Sequence, residues 1–240
     1  MIDLRCGDWR DVLADVEECD ALIVDPPYGA RTHAGHDAGV EHAKGYEPKR
    51  IKSDASSSRR RTLNYGYWTP ADVREFVEHW SPRTRGWFCA MSCSDLFPVW
   101  RAEFERVGRV AFAPVPCVIR AMSVRLSGDG PSNWTVYLNV ARPKGLIDGT
   151  RNGAYVVNRD PGHIGGKPRA LMELIVRDYS RPGGLVCDPC AGMGTTLRAA
   201  ELLGRRAIGA EVDPATHAKA IGQAPWADDV PQRSLFGGGG

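Results

Sequence analysis

The chain has 240 residues, 42% of them hydrophobic and 25% charged, with 31 Lys and Arg against 29 Asp and Glu. That mix excludes a disordered or fibrous chain and allows a hydrophobic core without disulfide or metal staples. A net charge of +2 argues neither for a uniformly basic nucleic-acid glove nor for an acidic solvating chain. No apolar run approaches the roughly 18 residues that span a bilayer, and Met1-Ile-Asp-Leu-Arg-Cys6 lacks the basic-then-apolar pattern of an export signal. The seven cysteines are odd in number and scattered, as expected for reduced, mostly buried thiols of a cytoplasmic protein.

Residues 3–28 read as strand, helix, strand: 3–6, then 9–16, then the run Ala21-Leu-Ile-Val24 stopped by Asp25-Pro-Pro-Tyr28. Four apolar residues halted by two prolines fit a buried parallel strand that must turn at its tip. Residues 29–68 change character. Within 29–70 eight Lys and Arg (Arg31, Lys44, Lys49, Arg50, Lys52, Arg59, Arg60, Arg61) stand against four acids, which predicts a mobile basic loop. Thr69-Pro70 reads as a helix cap with proline at the first helical position, followed by Val73, Phe76, Val77 and Trp80 at helical spacing. Strands are expected at 87–91, 110–118 and 134–140, and a helix at 96–107. Residues 148–160 look loop-like. Leu171, Met172, Ile175 and Val176 predict a helix over 169–179, followed by a strand at 184–187, a helix at 195–203 and a strand at 206–210. Alternating strand and helix argues for a single α/β domain over 1–222, with a mostly parallel sheet and helices on both faces. The tail 223–240, ending in four glycines, is expected to be disordered.

Two turns carry the chemistry. Asp188-Pro-Cys-Ala-Gly-Met-Gly-Thr-Thr196 lies between a strand and a helix, where Gly192 and Gly194 let the backbone pass close to a ligand beside a helix N-terminus. About twenty residues on, Glu211-Val-Asp213 ends a strand where an acid can hold two ribose hydroxyls. A tight turn would explain two glycines alone, but not the whole set. The third glycine of a dinucleotide fingerprint is replaced by Leu197, which favours S-adenosylmethionine over NAD. In Asp25-Pro26-Pro27-Tyr28 the prolines remove donors and leave carbonyls. The Asp25 carboxylate and the Pro26 carbonyl can accept from an exocyclic amine while Tyr28 offers a stacking face.

Together these motifs resemble the amino-group DNA methyltransferases. Their order, catalytic motif before cofactor motif, resembles the β group of that family. Leu4-Arg-Cys-Gly-Asp8 resembles the segment near the cofactor adenine, and His163-Ile-Gly-Gly-Lys-Pro168 the loop before the cofactor-motif helix. Asp25 through His36, 125–131 and 178–183 resemble small phage- or prophage-encoded members. The resemblance implies a Rossmann-like, circularly permuted S-adenosylmethionine-dependent methyltransferase fold. It implies that Asp25, Pro26, Pro27 and Tyr28 hold a flipped base. Cofactor binding falls to Asp8, His163, Lys167, Asp188, Pro189, Cys190, Gly192, Gly194, Thr195, Glu211 and Asp213. Cys190 departs from the family's usual Phe, and Gly165 and Gly166 from its usual Thr and charged residue.

The expected substrate is the adenine N6 amine of double-stranded DNA, methylated by an orphan enzyme. Cytosine N4, RNA or protein amides, and a non-catalytic DNA- or clamp-binding protein are the alternatives. Arg31, Lys49, Arg50, Lys52, Arg59, Arg60 and Arg61 are expected on DNA phosphates, with 120–160 as a candidate target-recognition region. Gln232-Arg-Ser-Leu-Phe236 resembles peptides that dock on the bacterial sliding clamp. A homodimer is plausible from the size of the chain. No zinc site is expected, because Cys187 and Cys190 belong to a strand and its turn.

Overall fold

The computed structural model describes residues 1–30, 66–120, 134–160 and 166–222. In chain order the described elements are β1 (Ile2–Cys6), α1 (Trp9–Val12), β2 (Ala21–Val24), α2 (Pro70–Trp80), β3 (Phe88–Ser92), α3 (Phe97–Arg106), β4 (Val110–Ala111), β5 (Val115–Arg120), β6 (Thr135–Arg142), β7 (Tyr155–Asn158), α4 (Arg169–Tyr179), β8 (Leu185–Asp188), α5 (Thr195–Leu202), β9 (Arg206–Glu211) and α6 (Pro214–Gly222). All nine strands share one sheet, in the order β1-β9-β8-β2-β3-β6-β5-β7 with β4 on β6. The pairs from β1 to β3 are parallel, and β6 runs antiparallel to β3, β4 and β5.

From β2 the chain proceeds to one side of the sheet, and from β8 to the other. Neighbouring strands that diverge in this way leave a crevice at their carboxyl ends, where open α/β sheets take ligands. Both turns singled out in the sequence end there.

Every residue of β2 is buried, as a strand covered on both faces requires. On one face Ile23, Met91, Leu138 and Val186 pack with Leu171 and Ile175 of α4 and Leu197 of α5. On the other, Leu22, Val24 and Phe88 pack with Trp9, Phe76, Trp80, Trp100 and Phe104, an aromatic layer carried by α1, α2 and α3. Helix α2 begins as its sequence predicts. The Thr69 side chain accepts from the Asp72 N–H, Asp72 reciprocates, and Pro70 follows the cap.

The differences from expectation are local. Helix α1 stops at Val12 rather than at 16. The expected strand over 110–118 is two strands, β4 and β5, with Pro114 between them. Residues 148–160, expected as loop, contain β7, whose residues alternate buried and exposed beside β5. Of the candidate recognition region, 121–133 lies outside the described residues, and 134–160 is β6, β7 and their connection. Among the described residues no helix is long and apolar enough to cross a membrane.

Candidate active site

The glycine-rich turn is built from backbone. Asp188 ends β8 almost fully buried, at 1% exposure. Its Oδ1 accepts from the Cys190 N–H at 3.1 Å, and the Thr196 hydroxyl also bonds its carboxylate. The Ala191 N–H donates to the Ala210 carbonyl at 2.8 Å, and the Gly194 N–H to Ala191 at 2.7 Å. Gly192 and Gly194 have φ of 53° and 75°, the left-handed region that L side chains rarely adopt. Gly209 faces Asp188 from β9, and a Cβ there would lie 2.6 Å from the Asp188 carbonyl oxygen. Only a residue without a side chain lets these two backbones approach so closely.

Glu211 ends β9. Its carboxylate accepts from the Asp213 N–H at 2.8 Å and from the Gly192 N–H, and its carbonyl accepts from Gly7. The ends of β1, β8 and β9 are thereby tied together. Burial raises the carboxyls of both Asp188 and Glu211. Asp188 is pushed up to about 7, with Asp25 and Glu211 adding to the effect and the bonds from Thr196 and Cys190 opposing it.

These residues fit the cofactor expected from the sequence. The space over Gly192 is open, since a Cβ there would meet no heavy atom within 4 Å. No side chain caps α5, so its first-turn N–H groups remain available to a carboxylate. Glu211, which accepts from the Gly192 N–H, stands at a strand end where an acid can accept from ribose hydroxyls.

The second turn is built from side chains. Asp25 is partly exposed and binds two partners. The Tyr28 Oη donates to its Oδ1 at 3.1 Å, and the Lys167 ammonium pairs with its Oδ2. The same ammonium lies 5.0 Å from the centroid of the Tyr28 ring. The Tyr28 carbonyl accepts from the Trp68 N–H at 3.1 Å, and the Trp68 ring packs against Phe76 and Trp100. The chain that leaves the described region at Ala30 therefore returns, at Trp68, to the turn it left.

Several expected residues are placed elsewhere than foreseen. Asp8 accepts the Arg10 N–H at 2.9 Å as the cap of α1 and pairs with the Arg10 guanidinium. The Asp213 Oδ2 accepts from the N–H of Thr216 at 3.0 Å and its hydroxyl at 2.6 Å, as the cap of α6. Glu211 is thus the acid that faces the glycine-rich turn. Lys167, expected at the cofactor, lies on Asp25.

His163, Arg31, Lys49, Arg50, Lys52, Arg59, Arg60, Arg61 and Gln232 through Phe236 lie outside the described residues. None of the seven cysteines is in a disulfide, and Cys19, Cys89, Cys117 and Cys187 are buried. Among the described residues no group of three His, Cys, Asp or Glu is placed to hold a metal. Sequence reasoning missed Trp68 and Gly209. An aromatic residue directly before the Thr69 cap was the available sign of the first, whereas nothing local marked the second.

Comparison with known proteins agrees with this geometry. The chain is 46% identical over 67 residues to the type II methyltransferase M.EcaI of Enterobacter cloacae, a match covering 25% of this chain and 14% of that protein. It is 47% identical over 51 residues to the type II methyltransferase M1.MboII of Moraxella bovis, covering 21% of this chain and 20% of that one. These matches therefore span about a seventh and a fifth of the length of the curated relatives. The fold resembles the M1.HpyAVI–SAM complex at a TM-score of 0.67 and 19% identity, over 92% of this chain and 97% of that one. It resembles the cytosine-N4-specific PvuII DNA methyltransferase at 0.62 and 14%, over 92% and 85%. This is the S-adenosylmethionine-dependent methyltransferase fold with the mostly parallel sheet expected from the sequence. A DNA methylase family model, that of the N6 and N4 amino methyltransferases, matches residues 46–221, and the chain belongs to that family.

Proposed function

We propose that the protein methylates an exocyclic amine of a base in DNA, the adenine N6 amine first, with S-adenosylmethionine as donor. The observation that carries this reading is that the Asp25 turn and the glycine-rich turn follow the carboxyl ends of the adjacent parallel strands β2 and β8, with the Asp25 carboxylate near enough to Asp188 to raise its carboxyl. When bound, the cofactor supplies an electrophilic methyl group on a sulfonium. Gly192, Gly194, the start of α5 and Glu211 would hold it. Asp25 and the Pro26 carbonyl accept the two amine hydrogens, which raises electron density on nitrogen and aims its lone pair across the crevice. On receiving the methyl group that the bound cofactor would supply, the amine nitrogen would become cationic. It then loses one proton toward the Asp25 carboxylate, so no metal and no covalent enzyme intermediate enters the scheme.

A target amine inside a duplex is out of reach, so the base must swing out at a cost of a few kcal/mol. Tyr28 offers the stacking face. The basic residues of 31–65 support DNA as the partner, because both ends of that segment are tied to the catalytic turn. The PvuII resemblance supports cytosine N4 as the second reading, since the same acceptor pair serves either amine. Incubation with S-adenosylmethionine and methyl-free bacterial DNA, followed by nucleoside mass spectrometry, tests both readings. N6-methyladenine is expected, N4-methylcytosine would transfer the mechanism to the other base, and absence of both would overturn the proposal.

A further inference from the structure

The Lys167 ammonium occupies two positions at once. It pairs with Asp25 Oδ2, and it lies 5.0 Å from the centroid of the Tyr28 ring. Under the function proposed above, on which this inference rests, a target base needs both: a carboxylate oxygen for its amine and the tyrosine face for its ring. The other Asp25 oxygen already accepts from the Tyr28 hydroxyl at 3.1 Å. Each carboxylate oxygen thus already holds one donor, and the Lys167 ammonium, lying against both Oδ2 and the tyrosine ring, stands where the amine and its ring are to go.

We propose that Lys167 is a displaceable stand-in for the target amine, which holds the acceptor turn in its working shape and yields its place when the base enters. Three features suit it to this task. Its ammonium presents N–H donors to a carboxylate oxygen, as an exocyclic amine does, so Asp25 is kept hydrogen-bonded before substrate arrives. Its four-carbon stem and strongly hydrated head let it leave without moving backbone. Two residues on, the Asp160 carboxylate accepts the Arg169 N–H at 2.6 Å and anchors the chain where α4 begins. Release needs only side-chain motion, and the pair is partly buried, with side-chain exposures of 16% and 27%.

The stand-in predicts a particular division of kinetic effects. With Lys167→Met, the full-length enzyme no longer breaks an ion pair to admit the base. The KM for fragments of unmethylated bacterial genomic DNA is expected to fall about 1.5- to fivefold, the range that a partly exposed pair accounts for. Cofactor affinity, measured by calorimetry without DNA, is expected to stay within about twofold, and Lys167→Arg should retain the wild-type KM. Lys167→Gln serves as a second neutral variant should methionine impair folding.

A KM that is unchanged or raised in the neutral variants, with kcat reduced, would make Lys167 a plain support for Asp25 and overturn the proposal. Weakened cofactor binding would overturn it in favour of a cofactor ligand. Wild-type turnover on the same DNA reads the proposed function separately. Turnover with an unchanged variant-to-wild-type ratio defeats the stand-in alone, whereas no turnover on DNA defeats the function itself.

Discussion

The two turns that end β8 and β2 each begin with an aspartate followed by proline, yet the two carboxylates are put to different use. Asp188 is sealed at 1% exposure, and its described partners are the Cys190 N–H in its own turn and the Thr196 hydroxyl at the start of α5. Asp25 is partly exposed, and its partners are the tips of Tyr28 and Lys167. A carboxylate tied into its own loop fixes the shape of a floor, and exchanging its partners would mean unfolding that loop. One held by side-chain tips can trade them for a substrate without moving backbone. Position in the fold, more than residue type, separates a sealed carboxylate from an exchangeable one.

Several substitutions would break or sharpen that contrast. The largest effect is expected from Asp25→Ala. Methyl transfer to DNA should fall by about two to four orders of magnitude, while calorimetric affinity for S-adenosylmethionine stays within about threefold. Near wild-type turnover by this variant would remove Asp25 from the chemistry.

Asp188→Asn should show its effect in stability rather than in chemistry. Burial raises this carboxyl from 3.8 to about 7, so the folded chain keeps its proton where the unfolded chain has lost it. The stability this group contributes is present below about pH 4 and is lost as pH rises to about 7, at about 1.4 kcal/mol per pH unit. Denaturant melts at pH 5 and 7 should therefore show the asparagine variant gaining on wild type as pH rises. A constant difference would contradict the assignment. Gly209→Val should cost about 1–3 kcal/mol by overpacking, because its Cβ falls 2.6 Å from the Asp188 carbonyl. The smallest change is expected of Tyr28→Phe, which keeps the ring and removes one bond to Asp25. Its turnover should fall by less than about tenfold.

Much of this was legible in the chain because the signals are local. Leu171, Met172, Ile175 and Val176 announce α4 by their spacing, and Ala21-Leu-Ile-Val24 stopped by two prolines announces β2 and its turn. What stayed hidden depends on distant partners. Lys167 and Asp25 are 142 residues apart, and only the completed sheet brings α4 beside the end of β2. Strand β7 has four residues between polar loops and exists because β5 offers it an edge. The resemblance puts Asp8, and a strand end puts Asp213, at the cofactor, but an aspartate just before a helix has a closer partner in the helix's own N–H groups. In the close approach at Gly209 the partner, Asp188, lies on another strand and leaves no mark beside the glycine itself.

The bond from the Trp68 N–H to the Tyr28 carbonyl has a consequence for how such an enzyme can diversify. It joins the two ends of the intervening segment at one point, beneath an aromatic anchor that belongs to the core. Closing a loop whose ends already meet depends only weakly on its length, with each doubling costing about 0.6 kcal/mol. The segment can therefore be lengthened, shortened or exchanged between relatives at little expense to the sheet. The stretch between Tyr28 and Trp68 is thus open to exchange while the sheet and its two turns stay as they are.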